Sequence, residues 1–357
     1  MIKDRVKPKK IVVFRTDRLG DVLLSIPAIR ALSERFPSSK ISVVLQPSYT
    51  SLLEGSSEVD EIIPYRKTFK ENLDLILKLR RERYDLAVIL NPKKRTHIIA
   101  FLSGIPYRVG YRRKWGFLLN YKIEDKKYEG KKHEIEYNLD IVRSLGADTK
   151  DKSLRIKIKE EDERFIDFLL RESKIEKKRL VAMHLTSSCP SKRWPIERFA
   201  EVGRRLESIC PQVQIVLIGG EEEKELREKI ERLFSPFALN LIGKLHLGQL
   251  SALFKRCSLL ISTDSGPVHL ATAVGLGCVV IFGRNLPGLS PVRWGPRGEK
   301  DLVLHHPPDC QPCLAHRCKK NFECLKRVSV EEVVRAVSAK LRDEKDAGAS
   351  CYRGGEE

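Results

Sequence analysis

No run of eighteen consecutive apolar residues occurs in the 357-residue chain, so no segment reads as a transmembrane helix. The opening MIKDRVKPKK is basic, but a β-like run follows it rather than the apolar core of a signal peptide. The expected location is therefore the cytoplasm. Neither half carries a G-x-G-x-x-G fingerprint, which argues against a dinucleotide-dependent dehydrogenase. Aromatic residues make up 7% of the chain, and there is no aromatic-rich RNA signature and no helix-turn-helix pattern. Nucleic acid is thus not an expected partner, although 67 Lys+Arg against 48 Asp+Glu give a net charge of +19. The positive charge is spread along the chain and mixed with acids. It suits a solvated surface, a phosphorylated substrate or an anionic membrane face. The heavy use of Lys, Arg and Glu also suits a heat-loving source.

What is present is enough for real cores, at 41% hydrophobic residues, over a length that suggests two domains. Apolar runs of strand length alternate with helical periodicity. Strands are expected at 10–15, 40–46, 61–64, 84–91 and 107–111, and helices at 22–36, 69–83, 96–104 and 133–145. Pro27 marks a kink or a late start in the first of these helices. Residues 148–160 are charged and aperiodic and are read as a junction. Alternation then resumes, with strands at 180–186, 214–219, 238–242, 259–262 and 278–283 and helices at 160–173, 195–209, 221–234, 247–257, 267–274 and 329–341. The fold class is α/β, with two Rossmann-like parallel-sheet domains, 1–150 and 151–342, and a C-terminal helix closing the chain. A polar tail, 343–357, is expected to be disordered. Two such halves facing each other leave a cleft between their strand C-termini.

Four segments follow strand ends and converge on that cleft. ISTDSGPVHLATAVG, at 261–275, runs from an apolar strand through Asp264, Ser265 and Gly266 into a helix. Pro267 fits its first position, with Ser265 or Gly266 as cap. No acid stands in the first turn, so the free N–H groups and the dipole suit a phosphate, and His269 can point back at the same anion. RTDRLGD, at 15–21, places Asp21 at a helix mouth, as a cap or as a base. HLTSSCPSKRWP offers hydroxyls at Thr186 and Ser187 and a mobile cation at Lys192, a combination suited to a diphosphate. GGEEEKE places Glu221 and Glu222 where a carboxylate takes a ribose diol or caps a helix.

IVVFRTDRLGDVLLSIPAIRAL, the TSSxxxKRWP segment, GKLHLGQLSALFKRC, LLISTDSGPVHLATAVG with the following IFG, and PVRWGP together resemble glycosyltransferase family 9, the ADP-heptose:lipopolysaccharide heptosyltransferases. The likeness runs from about residue 10 to 342. It implies a GT-B fold and an inverting transfer that needs no metal or other cofactor. The donor would be ADP-L-glycero-D-manno-heptose, held by the C-terminal half. The acceptor would be the anionic, lipid-linked lipopolysaccharide inner core, held by the N-terminal half at the inner face of the cytoplasmic membrane. Asp21 would be the general base. Thr186, Ser187, Lys192, Asp264, Ser265, Gly266 and His269 would hold the diphosphate and nucleoside, and Glu221 or Glu222 the ribose or adenine. Arg18, Arg108, Arg112, Arg113 and Lys114 are the acceptor or membrane candidates. The same motifs allow another nucleotide sugar or surface glycan, and the architecture is shared with nucleotide-sugar epimerases.

Four of the nine cysteines, Cys310, Cys313, Cys318 and Cys324, form a C-x2-C-x4-C-x5-C cluster. The spacing admits a structural zinc, two disulfides or free thiols. The transfer chemistry needs none of them.

Overall fold

The computed structural model describes residues 7–187, 189–220, 226–310 and 312–343. The chain divides into two compact units, Met1–Lys157 and Ile158–Glu357. The first unit runs past the expected boundary at 150 for a local reason. Buried Arg30 donates from Nη1 to the carbonyls of Asp151 and Ser153, each at 2.9 Å. Leu154 is buried beside them. The charged stretch is therefore tied back onto the first unit rather than serving as a free linker.

The first unit holds one parallel sheet made of β1 (Lys10–Phe14), β2 (Lys40–Leu45), β3 (Glu61–Pro64), β4 (Leu86–Ile89), β5 (Tyr107–Tyr111) and β6 (Tyr121–Ile123), in the order β3-β2-β1-β4-β5-β6. The second holds β7 (Arg179–His184), β8 (Val213–Ile218), β9 (Ala238–Asn240), β10 (Cys257–Thr263), β11 (Cys278–Ile281) and β12 (Leu302–Leu304), in the order β12-β11-β10-β7-β8-β9. Counted from its own first strand, the second order is the first one read backwards. Both sheets have the same winding. Each changes direction beside its first strand, between β1 and β4 and between β7 and β10. Open parallel sheets bind ligands at such a switch point, outside the strand C-termini.

The central strands read as near-continuous apolar runs because both their faces are covered. Ile11, Val12, Val13 and Phe14 of β1 are fully buried, as are Val181, Ala182 and Met183 of β7. The crossover helices bury one stripe each. In Phe69–Glu82 the core side is Leu75, Ile76 and Leu79. Thr68 caps that helix by accepting from Glu71 N at 3.2 Å, and Arg83 closes it in a left-handed conformation, φ 55°.

The structure departs from the sequence expectations in two places. The helix expected at 22–36 is two helices, Leu19–Leu23 and Ile26–Arg35. The Ser25 hydroxyl donates to Val22 O at 2.6 Å, and Pro27 stands second in the helix that starts at Ile26. The edge strands β6 and β12, three residues each, follow no readable alternation. Of the helix expected at 221–234, Arg227–Phe234 is seen. Residues 221–225 lie outside the described residues, as does the expected tail beyond Asp343. The last helix, Val330–Asp343, packs on Ile196–Ile209. Near its start the fully buried Trp194 donates Nε1 to Val328 O at 3.2 Å and meets Phe199 edge-on at 4.9 Å.

Candidate functional site

In the first unit the chain leaves β1 as Arg15-Thr16-Asp17-Arg18 and enters the short helix Leu19–Leu23. Arg15 is 2% exposed, and its donors fix the local frame. Nε donates to Asp21 O at 2.9 Å, Nη1 to Leu90 O at 2.9 Å and Nη2 to Asn138 Oδ1 at 3.3 Å. The helix bearing Asp21 is thereby locked to the end of β4. Three carboxylates surround the same guanidinium: Asp17 at 3.4 Å, Asp21 at 3.7 Å and Glu134 at 3.8 Å. Glu134 also takes Lys127 Nζ at 2.5 Å.

Asp21 is the third residue of its helix, so it is not the N-cap, which is the exposed Arg18, but a first-turn acid that the helix dipole favours. Its side chain stays 17% exposed. The neighbouring Asp17 carries a buried, unpartnered Oδ1. Burial pushes its carboxyl up to about 6, with Arg15 opposing and Asp21 adding to the rise. Beyond β4, Asn91 donates to Thr16 Oγ1 at 3.1 Å and keeps its Oδ1 unpartnered. His97 is fully buried with neither ring nitrogen bonded, and burial together with Lys114 lowers it to about 4.

The basic candidates separate into two groups. Arg112, Arg113 and Lys114 follow the C-terminal end of β5 and are exposed. Arg113 faces Asp125 at 3.4 Å. Lys114 sits at φ 53° and feels Lys93, Arg113 and Lys94 nearby, which together with burial lower its ammonium from the usual range. Beside them Trp115 and Phe117 are exposed, with ring centroids 5.7 Å apart. Arg108 is different. It lies near the start of β5, Nε donates to Leu118 O at 2.8 Å, and Nη1 donates to Ile105 O. Two of its three guanidinium nitrogens thus close the 105–118 turn.

In the second unit the equivalent strand ends carry the opposite sign. Lys192, on the loop after β7, reaches Asp264, just beyond β10, at 3.0 Å. Arg284, after β11, contacts the same Asp264 oxygen through Nη2. All three are largely buried, with Asp264 at 6% and Arg284 at 4% exposed. Burial and Arg284 lower the Lys192 ammonium against the pull of Asp264. Ser265 caps the helix Gly266–Ala273 and Pro267 takes its second position, one residue later than expected. The Ser265 hydroxyl meets Ser262 Oγ at 2.9 Å, and Ser262 Oγ meets His184 Nδ1 at 3.3 Å. No acid stands in that first turn. His269 is buried there with Nδ1 unpartnered, and desolvation and Lys192 hold it at about 4, so it is neutral at neutral pH. Thr186 is buried and Ser187 half-buried after β7, where Ser187 O accepts Arg193 Nε at 2.7 Å. Glu221 and Glu222 lie outside the described residues.

Lys192, Asp264, Ser265 and His269 are thus brought to one strand-end site, together with Arg284, which the sequence reasoning missed. Its only sequence signal is its place after IFG at a strand end. Arg15 and Asp17 were missed as well, although both lie inside the RTDRLGD segment. Among the described residues, no group of three or more His, Cys, Asp or Glu side chains stands in position to hold a metal ion. No described helix is long and apolar enough to cross a membrane.

The family model described as glycosyltransferase family 9 (heptosyltransferase) matches residues 73–322. The chain belongs to glycosyltransferase family 9. It is a glycosyltransferase, and its two Rossmann-like parallel-sheet units are those of a GT-B enzyme. The chain is similar to the lipopolysaccharide heptosyltransferase 2 of Escherichia coli (strain K12), 27% identical over 306 residues that cover 79% of this chain and 85% of that one. The crystal structure of a glycosyl transferase family 9 member from Veillonella parvula aligns at a TM-score of 0.84 and 25% identity, covering 94% of this chain and 98% of that chain. The E. coli ADP-heptose lps heptosyltransferase II structure aligns at a TM-score of 0.78 and 24% identity, over 94% of this chain and 99% of that one, and shares the fold.

Proposed function

We propose that this family 9 enzyme transfers heptose from ADP-L-glycero-D-manno-heptose to the inner core of lipopolysaccharide, with inversion and without a catalytic metal. The observation that carries the reading is the Lys192–Asp264–Arg284 group beside an acid-free helix N-terminus. Two cations, partly neutralised by one carboxylate, suit a diphosphate. Asp264 orients the cations, while Lys192, Arg284 and the free N–H groups of Gly266–Ala273 meet the phosphates. Thr186, Ser187 and Ser265 add hydroxyls. The related E. coli enzyme, named for heptosyl transfer, supports heptose as the sugar.

In the reaction an acceptor hydroxyl oxygen attacks the anomeric carbon as its bond to the diphosphate oxygen breaks. The hydroxyl proton passes to the Asp21 carboxylate, and ADP leaves with its charge met by Lys192, Arg284 and the helix end. Asp21 is suited to the base role by position. It is anchored by Arg15 through its own carbonyl, and its carboxylate stays partly open. Arg112, Arg113 and Lys114, next to exposed Trp115 and Phe117, suit an anionic lipid-linked acceptor at the inner face of the cytoplasmic membrane.

Calorimetric titration with ADP-heptose, ADP-mannose, UDP-glucose and ADP tests the donor. Preference for the ADP compounds is expected, with ADP-heptose the tightest of the sugars. Preference for the uridine donor would retain a GT-B transferase and remove heptose. Isomerisation of the donor by the protein alone would point to an epimerase instead.

A further inference from the structure

Behind the RTDRLGD segment a line of buried charge runs from the strand ends into the first unit. Arg15, Glu134 and Lys127 are 2%, 2% and 5% exposed. Lys127 follows β6 in the short turn Lys127–Glu129, where Asp125 Oδ1 accepts its amide at 3.1 Å. Its Nζ reaches Glu134 Oε1 at 2.5 Å. Glu134 opens the helix Glu134–Arg143, whose dipole favours a carboxylate there. The same Glu134 oxygen lies 3.8 Å from Arg15 Nη2, and Asp21 Oδ1 lies 3.7 Å from that nitrogen. One guanidinium nitrogen thus serves two carboxylates at nearly equal distance. On its far side Lys127 meets two aromatic rings, with Nζ 4.8 Å from the Tyr111 centroid and 5.7 Å from that of Tyr137. Tyr111 donates its hydroxyl to Tyr137 O at 2.6 Å, and burial pushes that hydroxyl well above its usual range, so it stays neutral.

Buried ion pairs are costly to desolvate, and apolar residues of similar volume often serve a fold as well or better. A buried line of charge that ends on Asp21 therefore needs a reason other than stability. Its charges do not cancel. Arg15 and Lys127 stand against Asp17, Asp21 and Glu134, two cations against three carboxylates. The carboxyl left over is Asp17, which burial raises to about 6 against the pull of Arg15, with Asp21 and Glu134 adding to the rise. Of the other charged groups nearby, Lys67 faces Asp17, and Asp125 and Asp140 face Tyr111.

We propose that Glu134 and Lys127 are positioning residues for the transfer reaction, Glu134 drawing part of the Arg15 charge away from Asp21 and Lys127 limiting how much it draws. An Asp21 held too firmly by Arg15 would be a weak base, and one without Arg15 would be protonated before the acceptor hydroxyl arrives. The proposal rests on Asp21 as the base.

The test uses the full chain and two readouts. One is the carbon-13 titration of the Asp17 carboxyl, assigned with Asp17→Asn. The other is turnover against pH with ADP-heptose and lipopolysaccharide inner core. Glu134→Gln removes a negative neighbour and returns Arg15 to the other two carboxylates. The Asp17 midpoint and the acid limb of turnover should both fall by about half a pH unit or more. Lys127→Met leaves Glu134 to compete for Arg15, and both should rise by a similar amount. Breaking one partner of a buried pair destabilises a chain strongly, so Lys127→Met/Glu134→Gln is made as well, with thermal melts to check folding. That neutral pair should follow Glu134→Gln, because Lys127 acts through Glu134. Asp17 midpoints that stay put, with or without lost turnover, would show a structural role alone and overturn the proposal. Shifts of one sign in both single variants would overturn it too. Asp17 shifts of the expected signs with an unmoved acid limb would count against Asp21 as the base and leave the division of the Arg15 charge standing. The carboxyl titration decides even where these substrates are not turned over.

Discussion

The two sheets of this enzyme share a winding and differ in charge. At the switch point of the first, one buried guanidinium, Arg15, is ringed by Asp17, Asp21 and Glu134. At the switch point of the second, one buried carboxylate, Asp264, is held between Lys192 and Arg284. The topology provides the same place twice, and the residues there decide what it does. The acid-rich end suits taking a proton from a hydroxyl, and the cation-rich end suits receiving a diphosphate. In each case the minority charge works through the others. Arg15 locks the position of Asp21 through a backbone carbonyl, and Asp264 keeps two cations close together that would otherwise repel.

The largest effect should come from removing the acid that stays partly open. Asp21→Asn is expected to lower turnover about a hundredfold or more, with ADP affinity unchanged by calorimetry. Equal turnover would remove the base assignment and with it the contrast between the two ends. Lys192→Ala should weaken ADP binding by about tenfold to a hundredfold, the scale of a lost charge-assisted contact, with little loss of fold. Arg284→Ala should cost less than Lys192→Ala, because its guanidinium is more committed to Asp264. The two losses should not add in the double variant, since they share that carboxylate. Additive losses would mean two separate cations rather than one group.

The smallest effect tests the sign of the acid-rich end. The Asp17 carboxyl is raised to about 6 in the folded chain, against an ordinary aspartate value near 4. The folded state therefore holds its proton more tightly, and stability is lost as pH rises from about 4 to about 6. Asp17→Asn removes that penalty. It should stabilise the chain on the order of 1–2 kcal/mol at pH 7.5, with the gain vanishing near pH 4 in thermal melts. A gain that does not change with pH would mean that Asp17 is ionised throughout.

The sequence made the strand-end residues easy to find and their partners hard. β1 and the Leu259–Ile261 centre of β10 are apolar runs that lead into polar turns opening a helix, so the segments holding Asp21 and Asp264 stand out. Arg284 is one of 67 Lys and Arg residues, and only its place after IFG at a strand end marks it. Its meaning comes from Asp264, twenty residues earlier in the chain. Arg108 is hard to read for the same reason, since its bonds to Leu118 O and Ile105 O appear only after the turn has formed. The edge strands β6 and β12 are too short to show a period. The break between the first two helices depends on the Ser25 hydroxyl, a contact that periodicity cannot register.

Arg284 stands in the left-handed region at φ 45°, where its backbone is strained before its charge is considered. A saturation library at this position would therefore be sorted twice. Valine, isoleucine and threonine would be rejected by the main chain. Glycine and asparagine would be accepted by the main chain and would lose the cation. Lysine would keep the charge without the planar fork. The position is thus open to few replacements, and engineering of the cation-rich end is better directed to Lys192, whose backbone carries no such restriction.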